Sequence, residues 1–335
     1  MKKNKIKKTV LLAMSGGVDS SVALAKLIDN GFKVIGITLK LWDHEHNDGN
    51  MIKESQCNTA DAVNGAKLVC NHFDVHHYTL NFKNLFKEYV VDDFITEYSK
   101  GRTPNPCVKC NAFVKWDGLI HQADKLGIEY IATGHYAIID NQNGTVKLKK
   151  GKDPLKDQSY MLWKINKEHL SRTLFPLGNM TKNEVRSYAE KENLVTAKRP
   201  ESMDLCFIDT NNYGDFLNNY IPEKFKNIKG EILDESGKSI GLHKGFYNYT
   251  IGQRKGLGLS RPEPRYVKKI NSKDNQVIVS KKEKLYSKKC TLIDCNWIIS
   301  NPQKPIEVDV KIRYYSQSSK ALIHNGEKEI IVNFK

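Results

Sequence analysis

The sequence predicts an α/β protein with a parallel, doubly wound sheet, followed by small β-rich domains. Three observations carry this. Short apolar runs alternate with stretches of helical period through the first 133 residues. A Ser-Gly-Gly turn sits directly between the first strand and the first helix. From Gly230 onward, glycines and short β-type runs replace the helices. The expected organisation is residues 1–208 as the catalytic domain, 209–275 as a linking domain and 276–335 as a C-terminal β module.

In order along the chain, Val10 to Met14 is a short apolar run and reads as a buried strand. Ser20 to Asn30 carries Val22, Ala23, Leu24, Leu27 and Ile28 at helical spacing. Lys33 to Leu39 reads as a second strand, 55–72 as a helix and Val75 to Leu80 as a third strand. Leu85 to Ser99 is helical, with Phe86, Tyr89, Val90, Phe94 and Ile95 on one side. After the break at Gly101 to Pro106, residues 111–126 return to helical spacing, and Ile128 to Thr133 is a further buried strand. Thr181 and Glu184 form a capping box for a helix over 181–192. The later β-type runs are 228–233, 247–251, 265–270, 276–280, 308–313 and 330–334. In such parallel sheets ligands sit at the carboxyl ends of the strands, where the Ser-Gly-Gly turn lies.

At 335 residues, 39% hydrophobic and 27% charged, the chain is of globular composition and long enough for two or three cores. No apolar run reaches the length that spans a bilayer. The basic start, Met1 to Lys8, leads into a strand rather than a signal-peptide core, so the expected location is cytoplasmic. The net charge of +15 points to a polyanionic partner. Lysines are spread along the whole chain, so charge alone supports a solvated surface equally well. Seven cysteines without a secretory signal argue against a disulfide framework and for catalytic, redox or metal roles.

A strand that turns through Ser15-Gly16-Gly17-Val18-Asp19-Ser20 into a helix aims backbone N–H groups and the positive end of the helix dipole at one spot. Glycines let an anion approach, and Ser15, Ser20 and Ser21 offer hydroxyls. This is not a Walker loop: Gly230 and Gly237-Lys238-Ser239 come nearest, with six residues between the glycines. The six-residue run resembles the pyrophosphate loop of the N-type ATP pyrophosphatases, which cleave ATP between the α and β phosphates and adenylate an oxygen.

Gly101-Arg102-Thr103-Pro104-Asn105-Pro106-Cys107-Val108-Lys109-Cys110-Asn111 is the second informative stretch. The prolines set a non-helical entry and place Cys110 at or just before a helix start, near Lys109 and Arg102 in sequence, a setting that favours a thiolate. Cys206 follows the capped helix among Leu205, Phe207 and Ile208. By themselves these thiols fit packing or an incomplete zinc knuckle as well as catalysis; no second close Cys/His pair completes four ligands. Cys57, Cys70, Cys290 and Cys295 read as small core or surface residues.

Six ordered motifs change that. The glycine loop, the Gly101 to Asn111 stretch, Ala132-Thr133-Gly134-His135-Tyr136, Lys156-Asp157-Gln158-Ser159-Tyr160, Cys206-Phe207-Ile208 and Gly252 to Gly258 together resemble the tRNA-specific 2-thiouridylase family, from about Lys8 to Tyr315. The resemblance implies a sheet of the adenine nucleotide alpha hydrolase type and a C-terminal β-barrel-like module. It implies an enzyme that uses ATP and magnesium to adenylate the 2-oxygen of the wobble uridine and replaces it with persulfide sulfur. Cys110 matches the nucleophile and Cys206 the persulfide carrier, the two forming a disulfide during turnover. Ala13, Met14, Ser15, Gly16, Gly17, Val18, Asp19, Ser20, Leu39 and Gly134 match the ATP-binding positions. Asn105, Pro106 and Cys107 match residues that hold the flipped base. His135, Lys156, Asp157, Gln158, Arg313 and Tyr314 match tRNA contacts, and Arg261, Arg265 and the lysines of 281–289 offer further phosphate contacts. A sulfur-donor protein is the implied second partner.

Two departures stand out. Many family members carry Asp where this chain has Cys107, which puts a side-chain acid/base there in doubt. Cys107, Cys110 and Cys206 together form an alternative ligand set for an iron–sulfur cluster. The C-terminal module also looks shortened, ending at Lys335. The rival readings are a cluster-dependent tRNA thiolase, a pyrophosphate-loop synthase acting on a small metabolite, and a tRNA-binding protein without activity.

Overall fold

The computed structural model describes residues 8–42, 60–142, 144–201, 205–208, 213–226, 228–259, 263–326 and 329–335. The start of the helix expected over 55–72, Cys57, Ser202 to Asp204 and Arg261 lie outside these residues. The chain divides into two compact units, Met1–Val90 with Cys107–Asp209 and Asn296–Asn301, and Val91–Pro106 with Thr210–Cys295 and Pro302–Lys335.

The first unit is built on β1 (Thr9–Ala13), α1 (Val18–Asp29), β2 (Lys33–Lys40), α2 (Ala60–His72), β3 (His77–Asn81) and β4 (Tyr130–Ala132). A hairpin of β5 (Ala137–Gln142) and β6 (Thr145–Lys150) and the short β7 (Thr173–Leu174) follow. The main sheet has the order β3-β2-β1-β4-β7, parallel throughout. β1 is central: Val10 lies opposite Val34 and Tyr130, and Leu12 opposite Gly36 and Ala132. Its residues Val10, Leu11 and Leu12 are all fully buried. A strand flanked on both sides and covered on both faces needs a continuous apolar run rather than an alternating one. Val10, Leu12 and Met14 join a core with Val22 and Leu24 of α1, Ala66 and Val69 of α2, and Val185 and Ala189 of the helix Lys182–Lys191. The helix Asp117–Lys125 contacts β1 as well, and the two-residue alternation of a strand turns Leu11 to the face opposite that core.

The helix Lys182–Lys191 begins with the expected capping box, Thr181 accepting from the Glu184 N–H and Glu184 from the Thr181 N–H. The helix carrying Cys107 and Cys110 differs from expectation. It starts at Pro106, not at Cys110, because proline's fixed φ and missing N–H suit a first helical position. Cys110 therefore sits a turn inside, where the helix widens into a π-type stretch over Cys110–Trp116.

The second unit holds two four-stranded sheets. In one, Gln276–Ser280 pairs antiparallel with Tyr266–Asn271 and parallel with Gly230–Leu233, which pairs with Ser239–His243. The other is antiparallel, in the order Lys289–Leu292, Ile330–Phe334, Ser319–Asn325, Ile306–Val310. Ile232, Val267, Val277 and Val279 fill the interior beside the first, and Ala321 and Val332 lie under the second. The strand expected over 247–251 is absent. Phe246–Asn248 is a 3₁₀ turn entered from Gly245 at φ +104°, and Tyr247 is buried with its hydroxyl donating to Asn218 Oδ1 at 2.6 Å. A left-handed glycine directly before the run breaks the extended path.

Candidate active site

The glycine loop leaves the carboxyl end of β1 from a locked backbone. The Met14 N–H donates to the Ile37 carbonyl at 2.8 Å, and Thr38 Oγ1 donates to the Met14 carbonyl at 2.8 Å. Gly16 then adopts φ +75°, and a Cβ there would stand 1.9 Å from the Ala62 carbonyl oxygen of α2. Gly17 caps α1 with no side-chain hydrogen bond. The Ser20 and Ser21 hydroxyls donate to the Gly17 carbonyl at 3.0 and 2.9 Å, and Ser20 Oγ accepts from the Ser15 N–H. Ser15 is exposed, whereas Ser21 is fully buried and so serves the loop's internal structure. Gly134, just beyond β4, packs against the same turn: a Cβ there would lie 3.0 Å from the Asp19 carbonyl carbon and the Ser20 nitrogen. Leu39, near the end of β2, is buried. The ends of the parallel strands β1, β2 and β4 thus lie around this one loop.

Charged side chains surround this loop, and of them Lys182, Arg186, Arg199 and Glu201 are not singled out in the sequence. The Lys182 ammonium donates to both Asp19 carboxylate oxygens, at 2.7 and 2.8 Å, and pairs with Glu201 at 3.3 Å. The Tyr136 hydroxyl donates to Asp19 at 2.6 Å; burial, then the Asp19 charge, push its pKa up, so it remains a donor. Glu201 also pairs with Lys156 at 2.6 Å and Arg186 at 3.4 Å. Burial raises the Glu201 carboxyl, but its bonds to Lys156 and Lys182 outweigh that and hold it at about 2. Arg199 donates to the Gly16 carbonyl at 3.0 Å and the Asp61 carbonyl at 3.2 Å, tying the loop to the start of α2.

Cys110 is buried, Cys107 is exposed and Cys206 is intermediate. Phe207 anchors the chain next to Cys206, with its ring against Trp42 and Phe86. Asn111, beside Cys110, donates its amide to the Met161 carbonyl at 2.9 Å, while its buried Oδ1 has no partner. Among the described residues no group of three or more His, Cys, Asp or Glu side chains is arranged to hold a metal.

The remaining expected site residues vary in setting. Asn105 is intermediate and Pro106 buried. The His135 ring packs against Trp116 and Phe175 and shares a 2.8 Å hydrogen bond with Thr133; burial and then Lys115 push its pKa down to about 3. It is a neutral imidazole at physiological pH. Asp157 is buried and accepts from the Gly151 N–H, the Ser159 N–H and the Ser159 hydroxyl. Gln158 Oε1 accepts from the Tyr136 N–H at 2.9 Å. In the second unit Arg313 is exposed and donates to the Ile251 carbonyl at 2.7 Å. Tyr314 meets the ring of Tyr315, which is 93% exposed, and lies under the Lys311 ammonium.

Residues 8–210 match the family model described as the tRNA methyl transferase HUP domain, and residues 214–281 that of the tRNA methyl transferase PRC-barrel domain. The tRNA-specific 2-thiouridylase MnmA of Acetivibrio thermocellus is 41% identical over 321 residues, 95% of this chain and 89% of that protein. The MnmA of Geotalea uraniireducens is 44% identical over 94% of this chain and 84% of its own. That of Caldicellulosiruptor saccharolyticus is 43% identical over 98% and 91%. With this identity sustained along nearly the whole chain, the chain belongs to the tRNA-specific 2-thiouridylase family.

Proposed function

We propose that this chain is a tRNA sulfurtransferase that converts the wobble uridine to 2-thiouridine, consuming ATP and releasing AMP and pyrophosphate. The observation that carries this reading is the phosphate cradle at the carboxyl end of β1, in the same compact unit as Cys110 and Cys206. The cradle supplies an activating half-reaction and the thiols a sulfur-transfer half. The family models carry the words methyl transferase; a nucleotide loop with two placed cysteines favours sulfur instead.

In the first half-reaction the uridine 2-oxygen attacks the α-phosphorus of ATP. Pyrophosphate leaves and the N3 proton is lost. Backbone N–H groups of the loop and the α1 dipole hold the phosphates. Magnesium would enter with the nucleotide, on its phosphates, because both Asp19 carboxylate oxygens are held by Lys182. In the second, the terminal sulfur of a Cys206 persulfide attacks carbon 2, and the former uridine oxygen departs on AMP. The Cys110 thiolate then attacks Cys206 Sγ, which releases 2-thiouridine and closes a Cys110–Cys206 disulfide. An external dithiol resets both thiols. A sulfur-donor protein reloads Cys206.

Asn105, Pro106 and Cys107 are assigned to the extruded base, and His135, Lys156, Asp157, Gln158, Arg313 and Tyr314 to tRNA recognition. The net charge of +15 suits that partner. No helix among the described residues is long and apolar enough to cross a membrane, and a tRNA substrate suits the cytoplasm.

The test is mass spectrometry of nucleosides from tRNA incubated with the protein, ATP, magnesium and a persulfide or sulfide donor. The wild type is expected to form 2-thiouridine, and Cys110→Ser and Cys206→Ser to form none. A small-metabolite synthase would stay active with Cys110→Ser. Absence of 2-thiouridine with every donor overturns the proposal.

A further inference from the structure

We propose that Lys182 is a positioning residue of the nucleotide loop: its ammonium cancels the charge of Asp19, so that the cradle before α1 accepts a triphosphate. The inference rests on the reading of the loop as an ATP site and extends it to a residue outside the six motifs that carry the family resemblance.

Asp19 lies in the first turn of α1. A carboxylate there is favourable to the helix when the cradle is empty, because it faces the positive end of the dipole. The same helix end has to receive phosphate, however, and a second anion beside it repels the first. Near a protein surface that repulsion is screened far less than in water. Among the described residues Lys182 is the only cation within ion-pair distance of Asp19. Its contact is bidentate, at 2.7 and 2.8 Å, and its side chain is 9% exposed against 33% for that of Asp19, so the ammonium is itself little hydrated and its charge is directed at the carboxylate. The other group on Asp19 is the neutral Tyr136 hydroxyl.

The ammonium is also held in place. Lys182 is the first residue of its helix, directly after the N-cap Thr181 and within the Thr181–Glu184 capping box, and its N–H donates to Asp153 at 2.9 Å. Glu201, the second acid on Lys182, keeps Lys156 and Arg186 if Lys182 is replaced. Substitution at 182 therefore uncovers one carboxylate, that of Asp19, beside the phosphate cradle.

The experiment measures equilibrium binding of ATP without divalent metal to the full chain, as wild type, Lys182→Met, Lys182→Arg, Asp19→Asn and the double variant Lys182→Met/Asp19→Asn. Lys182→Met is expected to weaken ATP at least tenfold and Lys182→Arg less than threefold. The double variant is expected to return to within about threefold of Asp19→Asn, since it leaves no charge to cancel. Thermal melting separates loss of fold from loss of binding. If Lys182→Met does not fold, Lys182→Gln alone and with Asp19→Asn makes the same comparison. Unchanged binding by Lys182→Met overturns the proposal. So does a double variant as weak as the single one, which would make Lys182 a direct phosphate ligand or a purely structural residue. If the wild type does not bind ATP, the nucleotide reading itself fails, and this proposal with it.

Discussion

Gly16→Ala tests the loop most directly, because two independent penalties meet at that position. Gly16 has φ +75°, and a non-glycine residue in the left-handed region costs about 1–2 kcal/mol. The added Cβ would also stand 1.9 Å from the Ala62 carbonyl oxygen, 2.7 Å from its carbon and 2.9 Å from its Cα. The closest of these is well over an ångström inside van der Waals contact. The obstacle is helix backbone, and α2 cannot back away freely while Ala66 and Val69 are packed in the core. Parting the loop from α2 also opens the Arg199 bridge between Gly16 and Asp61, and a hydrogen bond from a charged donor is worth about 1.5–3 kcal/mol. Together these disfavour the native loop by at least about 2 kcal/mol, which lowers the competent population, and hence apparent ATP affinity, roughly 30-fold. Calorimetric titration with ATP reads the affinity. Thermal melting reads the fold, with an expected fall of about 4–8 °C for a unit of this size. Gly17→Ala is the control for stability: Gly17 has φ −90°, and the nearest atom to its Cβ is Ser15 Oγ at 3.5 Å. ATP binding by Gly16→Ala within threefold of wild type, or an equal fall in melting temperature for both variants, refutes the reasoning.

Two further outcomes are expected. His135 is held at about 3 in the fold, below its ordinary 6.5, so the unfolded chain binds more protons between those values. Its contribution is complete above about pH 6.5 and is lost as pH falls toward 3, at a slope of at most about 1.4 kcal/mol per pH unit. Urea unfolding at pH 6.5 and 5 should show wild type losing up to about 2 kcal/mol more than His135→Gln; parallel curves for the two would exclude this. Arg199→Met removes the donor shared by the Gly16 and Asp61 carbonyls and should weaken ATP about tenfold with secondary structure retained, as read by titration and circular dichroism. Affinity equal to wild type would show that the loop holds its shape without the bridge.

Much of the fold is legible in local pattern. The buried run of β1, the Thr181–Glu184 box and the strands Gln276–Ser280 and Ile330–Phe334 fall where period and capping place them. The β5–β6 hairpin carried a signal too, the Asn143-Gly144 pair, a strong hairpin turn. The run at 247–251 misleads because Tyr247 looks like a strand residue, yet it is buried in a 3₁₀ turn with its hydroxyl on Asn218. Asp157 and Gln158 stand in a recognisable motif, but their hydrogen bonds into the 136–159 region emerge only from the folded chain.

By itself the sequence determined the glycine loop with its strand and helix, because these depend on neighbours a few positions apart, and it singled out Cys110 and Cys206 only through the order of six motifs along the chain. The tertiary structure alone decided the charge environment of that loop. Lys182 reaches Asp19 across 163 residues and Arg199 reaches Gly16 across 183. Such pairs have no local period to announce them. They arise where parallel strands end at one edge of the sheet and the helices between them return, bringing distant cations to the place where an anion is received.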